Sequence, residues 1–272
     1  MDQPQTERKM VLKNGNTKWF IDIHCHCLAG LDDGPVEMSE SIELCRWLLA
    51  DGINTVIATP HQLGFFDGCN EAEKVRQAVT ALNEELIGSD IPLKILPGAE
   101  VRIDERICEL LSQDKVLTLA DNGRYILVEF PHNIFFDMEP LLIDLELMGI
   151  RAIISHPEAN HPLCKQSAVL SKWLEKLAYL QVDASSLHGD LGLTVQKSAW
   201  HLLESGMVSL VATDSHNITT RTPRMRLAFN RIAAKLGEEA ARLLCIENPS
   251  RLLNGQDLVP VKTPDHREVR QW

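Results

Sequence analysis

Short, almost wholly apolar runs recur along the chain, and between them apolar residues return every three or four positions. The runs are Trp19–His24, Asn54–Thr59, Leu93–Ala99, Tyr125–Phe130, Ala152–Ser155, Leu180–Ala184 and Val208–Thr213. Continuous apolarity rich in Val and Ile marks strands buried on both faces. The intervening periodicity predicts helices over Glu37–Asp51, Glu71–Ile87, Leu141–Met148, Ser198–Ser205 and Met225–Leu236. In the first, Ile42, Cys45, Leu48 and Leu49 share one face. Gly52, Gly149, Gly206 and Gly237 follow helix ends, where the chain most often turns left-handed. Repeated helix–glycine–strand order predicts βα units and a parallel α/β sheet. Seven such strands fit a closed or nearly closed barrel better than a small open sheet, and closure itself is left open. Residues 1–18 form a polar lead, 19–256 the folded domain, and 257–272 a tail with Pro264 and mixed charge.

Composition narrows the class. A chain of 272 residues, 44% of them hydrophobic, can bury a sizeable core without disulfides or a structural metal. Its 24% charged content excludes wholesale disorder. No apolar run approaches the roughly 20 residues a spanning helix needs, so no membrane insertion is expected. The opening MDQPQTERKM has neither apolar core nor small-residue cleavage site, so no secretory signal is expected. With 27 Lys and Arg against 38 Asp and Glu, the net charge of −11 argues against a nucleic-acid partner. Seven scattered cysteines, an odd number, point to reduced thiols and a cytoplasmic location.

In parallel α/β folds, chemistry gathers at the carboxyl ends of the strands. Here those ends read His24-Cys25-His26 with Asp33 in the next loop, Thr59-Pro60-His61, Gly98-Ala99-Glu100, and Glu129. They continue with Ser155-His156-Pro157-Glu158, Asp183, and Thr213-Asp214-Ser215-His216-Asn217. Each delivers a histidine or a carboxylate, which is costly beside apolar strands unless something pairs with it. Divalent metals are natural partners, since imidazole with carboxylate suits zinc, iron and manganese. His24 and His26 point the same way on a regular strand, and Asp214 and His216 repeat the spacing. Taken singly, His61 or His156 reads as a satisfied core histidine, and Glu100 or Glu129 as a partner for arginine. Their joint occurrence at successive strand ends is what favours metal. Several clustered metals would polarise a phosphoryl oxygen and acidify a bound water, which is machinery for hydrolysing a phosphate ester.

Other features are read beside this. Cys25 and Cys27 alternate away from the histidine face, and neither begins a C-x5-R phosphate loop (Leu31 and Asp33 stand where the arginine would), so a cysteine nucleophile is rejected. Asp183 is read either as orienting a ligand histidine, as a general acid, or as a capping residue in Asp183-Ala184-Ser185-Ser186. Arg224, Arg226 and Arg231 read as a solvated helix face. The glycine-flanked loop Leu63-Gly64-Phe65-Phe66-Asp67-Gly68 reads as a wall for an aromatic leaving group or as rim packing.

These motifs, in this order, resemble the PHP (polymerase and histidinol phosphatase) superfamily. Within it they are most similar to the bacterial capsule- and exopolysaccharide-biosynthesis protein-tyrosine phosphatases, which are metal-dependent. Asp32-Asp33-Gly34-Pro35, Thr59-Pro60-His61, Gly98-Ala99-Glu100, His156-Pro157-Glu158, Asp214-Ser215-His216-Asn217 and Glu247-Asn248-Pro249 carry the likeness. It implies a distorted seven-stranded (β/α) barrel of PHP type with three divalent ions, manganese first, with iron or zinc as alternatives. Carried over, His24, His26, Glu100 and Asp214 hold the first ion. Glu100 bridges to a second, shared with Glu129 and His156. Asp33, His61 and His216 hold the third. A metal-bridging hydroxide attacks phosphorus, and Arg221 engages the phosphate. One departure stands out: the family's H-x-E-R motif reads His156-Pro157-Glu158-Ala159, so Ala159 replaces a phosphate-binding arginine. Asn160 or His161 is expected to substitute in part. The implied substrate is a phosphotyrosine-bearing kinase of the polysaccharide export system. A small phosphate ester (histidinol phosphate, a sugar phosphate or a nucleotide) and a weakened phospho-partner-binding protein are the alternatives. Oligomeric state is left open.

Overall fold

The computed structural model describes residues 19–131 and 133–261, so the polar lead and residues 262–272 of the tail lie outside it. The strands are β1 (Phe20–Cys25), β2 (Ile53–Ala58), β3 (His61–Gln62), β4 (Lys94–Pro97), β5 (Glu100–Arg102), β6 (Tyr125–Glu129), β7 (Arg151–Ser155), β8 (Ala178–Asp183) and β9 (Val208–Ala212). All named strand pairs are parallel, in a three-stranded sheet ordered β1-β2-β4 and a six-stranded sheet ordered β3-β5-β6-β7-β8-β9. Among the described residues, no helix is long and apolar enough to cross a membrane.

Every apolar run overlaps a strand, but β3 and β5 were not expected. Each follows a break in a longer strand. After β2 comes Pro60, which has no N–H to give to a ladder. After β4 comes Gly98, where a Cβ would lie 2.6 Å from Ile57 Cγ2. The β2–β4 pairing resumes beyond both breaks as β3–β5, with His61 opposite Glu100. The first and last strands also meet, through a parallel bridge between Cys25 and Ser215. The His26 N–H donates to Ser215 O at 2.9 Å, and the Asp214 N–H donates to His24 O at 2.9 Å. That contact brings the HxH and DxH segments side by side.

Strand alternation sorts the core into two layers. Ile126 and Val128 of β6 and Ala152 and Ile154 of β7 pack outward with helix residues such as Leu44, Leu82 and Trp173. Tyr125, Leu127, Ile153 and Leu210 form an inner plug with Ile23 and Ile57. Towards the carboxyl ends the inner face turns polar, reaching Glu129, Ser155 and Asp183 in step. His24 would fall out of step, because Ile23 already faces inward. A bulge corrects it: β1 advances three residues, Asp22 to Cys25, while β2 advances two, Val56 to Ala58. The bulge re-aims His24 inward and sends Cys25 outward.

The expected helices are present as Met38–Ala50, Ala72–Gly88, Glu139–Leu147, Leu193–Glu204 and Met225–Leu236. The first buries Ser41, Leu44, Cys45 and Leu48, a face rotated from the expected one. The helical pattern around Trp173 is present as Ser167–Lys176, while shorter helices at His161–Cys164, Ala184–His188 and Asn248–Leu253 were not anticipated. Just past residue 256, Leu258 joins the inner plug and Val259 exchanges two hydrogen bonds with Asn248, each 2.9 Å.

Candidate metal centre

His24 and His26 each have one ring nitrogen occupied. His24 Nδ1 donates to Gln181 Oε1 at 2.8 Å, and His26 Nδ1 to Asp32 Oδ2 at 2.6 Å. With the proton on Nδ1, Nε2 is left as a lone pair. The two Nε2 atoms face each other at 3.2 Å. Glu100 Oε2 lies 3.4 Å from one and 3.5 Å from the other, and Asp214 Oδ1 lies 3.3 and 3.5 Å from them. A tetrahedral cation with bonds of about 2.1 Å sets its ligands roughly 3.4 Å apart, so the spacing fits one. Asp214 Oδ1 is buried and has no hydrogen-bond partner. Burial works against charge on His24, but the Glu100 and Asp214 carboxylates outweigh it and push the imidazole up to about 9. The cluster therefore demands positive charge.

The cluster extends outward from these four residues. Glu100 Oε1 accepts from the Ser155 hydroxyl at 2.6 Å and lies 2.8 Å from His156 Nε2, so this carboxylate spans two groups of donors. His61 Nδ1 is 3.2 Å from Glu100 Oε2 and 3.7 Å from Glu129 Oε2. Asp33 Oδ1 is 3.1 Å from His216 Nε2 and 3.5 Å from His61 Nε2. Burial and the neighbouring His26 hold His216 down to about 4, so it presents a neutral imidazole. Four sets of side chains have ligand atoms mutually within 4.8 Å: His26, Asp33, His61 and His216; His24, Glu100 and His156; His24, His26 and Asp214; and His61, Glu100 and Glu129. All of the expected ligands occur in them. The sets overlap more than the expected partition, since His26 also joins the rim group and His61 also joins Glu100 and Glu129. His156 (φ 30°) and Asp214 (φ 51°) are left-handed, a conformation costing about 1–2 kcal/mol for a side-chain-bearing residue.

Of these residues, Asp33, His61, Glu100, Glu129, His156 and Asp214 line a cavity of about 610 Å³ whose wall also includes Arg102, Arg221, Asp183, Ala159, Phe65, Phe66 and Leu191. Arg221 Nη1 donates to His216 Nε2 at 2.8 Å, and its Nη2 donates to Asp214 Oδ2. Phe66 stacks on the His61 ring, centroids 5.5 Å apart. Asp183 Oδ1 accepts from Gln181 Nε2 at 2.8 Å. Burial, with the Asp214 and Glu158 carboxylates nearby, pushes the Asp183 carboxyl well above the usual range. Asp183 holds the N-cap position of helix Ala184–His188 but makes no capping bond with its side chain, which leaves the chemical readings of this residue standing.

The sequence matches the family described as "Capsular polysaccharide synthesis, CpsB/CapC" over residues 20–254. The chain belongs to the CpsB/CapC family. It is 38% identical to the tyrosine-protein phosphatase YwqE of Bacillus subtilis (strain 168) over 245 residues, 88% of this chain and 93% of that one. It is 30% identical to CapC of Staphylococcus aureus over 254 residues, 93% of this chain and 98% of that one. Its fold is similar to a chain from the crystal structures of YwqE and of CpsB from Streptococcus pneumoniae, described as unique metal-dependent tyrosine phosphatases. The TM-score is 0.85 at 36% identity, covering 91% of this chain and 100% of that one. An organophosphorus hydrolase from Deinococcus radiodurans shares the fold alone, with a TM-score of 0.53 at 15% identity, covering 86% of this chain and 92% of that one.

Against the CpsB/CapC pattern, some expected residues stand elsewhere. Asn160 is buried and fully committed: Nδ2 donates to Pro131 O and Ile134 O, and Oδ1 accepts the Leu163 N–H. It caps a helix and ties down a loop, so it has no donor left for phosphate. His161 is exposed and outside the cavity wall. Cys25 packs in the outer core, its thiol donating to Ser215 O. Arg224, Arg226 and Arg231 are not merely solvated; they bond to Asp190, the Asp51 carbonyl and the Leu187 carbonyl. Sequence reasoning missed Gln181, Arg102, Asp22 and the role of Asp32. Asp22 accepts both the N–H and hydroxyl of Thr213, pinning β1 beside β9. Only the Asp32–Asp33 doublet carried a signal, since one of two adjacent carboxylates was free to orient a histidine.

Proposed function

We propose that the chain is a metal-dependent protein-tyrosine phosphatase of the cytoplasm, acting on a phosphotyrosine-bearing kinase of a polysaccharide export system. The observation that carries the reading is the convergence of His24, His26, Glu100 and Asp214 at the spacing of a coordination shell, with Glu100 and Asp214 opening onto the wall of a cavity. Three divalent ions, manganese first, would be held by His24, His26, Glu100 and Asp214; by Glu100, Glu129 and His156; and by Asp33, His61 and His216. The two sheets make one distorted barrel of seven staves, with β2 and β3 as one interrupted stave, β4 and β5 as another, and the Cys25–Ser215 bridge as its seam.

When bound, such ions polarise phosphoryl oxygens and acidify water. The chain does the rest. Arg221 orients the phosphoryl group by charge-assisted hydrogen bonds from its guanidinium. Asp183 keeps a proton on Oδ2, its Oδ1 being taken by Gln181, and delivers it to the departing phenolate oxygen. Phe65, Phe66 and Leu191 supply an apolar wall for the tyrosine ring.

The cavity wall carries Ala159 where the family motif has arginine, which favours a small phosphate ester as the second reading. Rates of the metal-loaded protein on a phosphotyrosine peptide, an aryl phosphate and histidinol phosphate separate the two. Preference for the peptide supports the proposal, preference for histidinol phosphate replaces it, and no turnover on any substrate with metals bound leaves a binding protein.

A further inference from the structure

Arg102 was not singled out by any motif, yet it stands beside the cluster. It lies two residues after Glu100 on β5, so both side chains leave the strand on the same side, and both line the cavity. Its Nη2 is 2.9 Å from Glu129 Oε2, and the side chain is 25% exposed. That contact is one of charge alone, because Glu129 Oε2 has no hydrogen-bond partner. Other arginines differ. Arg76 spends its fork on Asp114 and Asp121, and Arg106 on Asp104 and Asp67. Arg102 thus brings a fork of donors to the cavity wall with no hydrogen bond committed.

The arginine is also held in place. The backbone at Gly64 lies across its stem: a Cβ there would come within 3.1 Å of Arg102 Cγ and 3.3 Å of its Cβ. Gly64 is left-handed as well (φ 58°), so a larger residue there would be both crowded and strained. A guanidinium fixed by its stem loses little freedom on gripping an anion. The family's other phosphate arginine is missing, since position 159 offers only a methyl group to the same cavity.

We propose that Arg102 is a phosphate-binding residue, supplying together with Arg221 the second forked contact that Ala159 does not. The inference rests on the phosphatase reading above and concerns how that site grips its anion. The test uses inorganic phosphate, titrated calorimetrically into the metal-loaded chain, with metal content measured in parallel. Arg102→Ala is expected to weaken phosphate binding at least about tenfold with metal content unchanged. Arg102→Lys keeps charge but not the fork and should fall between. Adding Ala159→Arg to Arg102→Ala should recover most of the loss, and the same change in the wild-type chain should gain less. Unchanged phosphate affinity in Arg102→Ala and Arg102→Lys would overturn the proposal. So would a loss that tracks lost metal, which would make Arg102 a positioning residue for Glu129, and so would failure of Ala159→Arg to rescue. A wild-type chain inactive on phosphotyrosine yet binding phosphate through Arg102 would remove only the substrate reading.

Discussion

His24, His26 and Glu100 are at most 1% exposed, and both histidines are fastened at Nδ1, whereas Asp33 is 54% exposed and His61 18%. The first set sits on β1, just past its end and on β5, pinned by Gln181, Asp32 and the Asp22–Thr213 bonds. The second comes from a loop and from the two-residue strand β3, with Arg221 laid over it, while their partner His216, beyond β9, is itself buried. The deep end is set to ion-coordination distances by the sheet itself. The rim end is open to solvent at Asp33 and in part at His61. One cluster thus combines a buried floor with an exposed edge.

Breaking the floor should have the largest effect. His24→Ala or Glu100→Gln is expected to strip metal and lower turnover of an aryl phosphate by at least about a thousandfold, about 4 kcal/mol in the barrier. At the rim, Asp33→Ala should lose metal only in part and cost about a hundredfold, or about 2.7 kcal/mol. Metal analysis beside kcat measures both, and equal losses would erase the distinction.

Next in size is Asp183→Asn. The group's proton is lost only well above the usual carboxylate range, so acid catalysis should persist at neutral pH and fade as pH rises further. The variant should lose that alkaline limb and about a hundredfold in kcat on a phosphotyrosine peptide, with less loss on a nitrophenyl ester whose leaving group needs no proton. An unaltered pH profile would return Asp183 to a structural role.

Asp32→Asn should act through the floor. It weakens the acceptor of the His26 Nδ1–H and of the His61 N–H, so metal affinity should drop about 10- to 100-fold, seen by competition with a chelator. The smallest effect is expected of Cys25→Ser. Cys25 faces the outer core, so turnover should stay within about threefold. Loss of activity with metals retained would reinstate a thiol nucleophile.

The candidate ligands were legible because histidines and carboxylates at the ends of apolar strands are conspicuous whatever the exact register. Their supports were not. Gln181, Arg102 and Asp22 are single polar residues inside strands, and nothing local says which partner each will meet across the fold. The bulge that turns His24 inward depends on pairing with Val56 and Ala58, and the breaks at Pro60 and Gly98 depend on how β2 packs against β4. Asn160 misled for a similar reason: a polar residue next to a missing arginine looked available, yet Pro131, Ile134 and Leu163 had already claimed it. The short helices after β7 and β8 carry too few turns for a periodic signature.

The central claim is that side chains distant in sequence form one polynuclear cation site. Anomalous diffraction from crystals grown with manganese tests it most directly. The account predicts three peaks in the cavity, one of them within bonding distance of His24 Nε2, His26 Nε2, Glu100 and Asp214. A map with no peak there, from protein that hydrolyses phosphotyrosine at full rate, would contradict it.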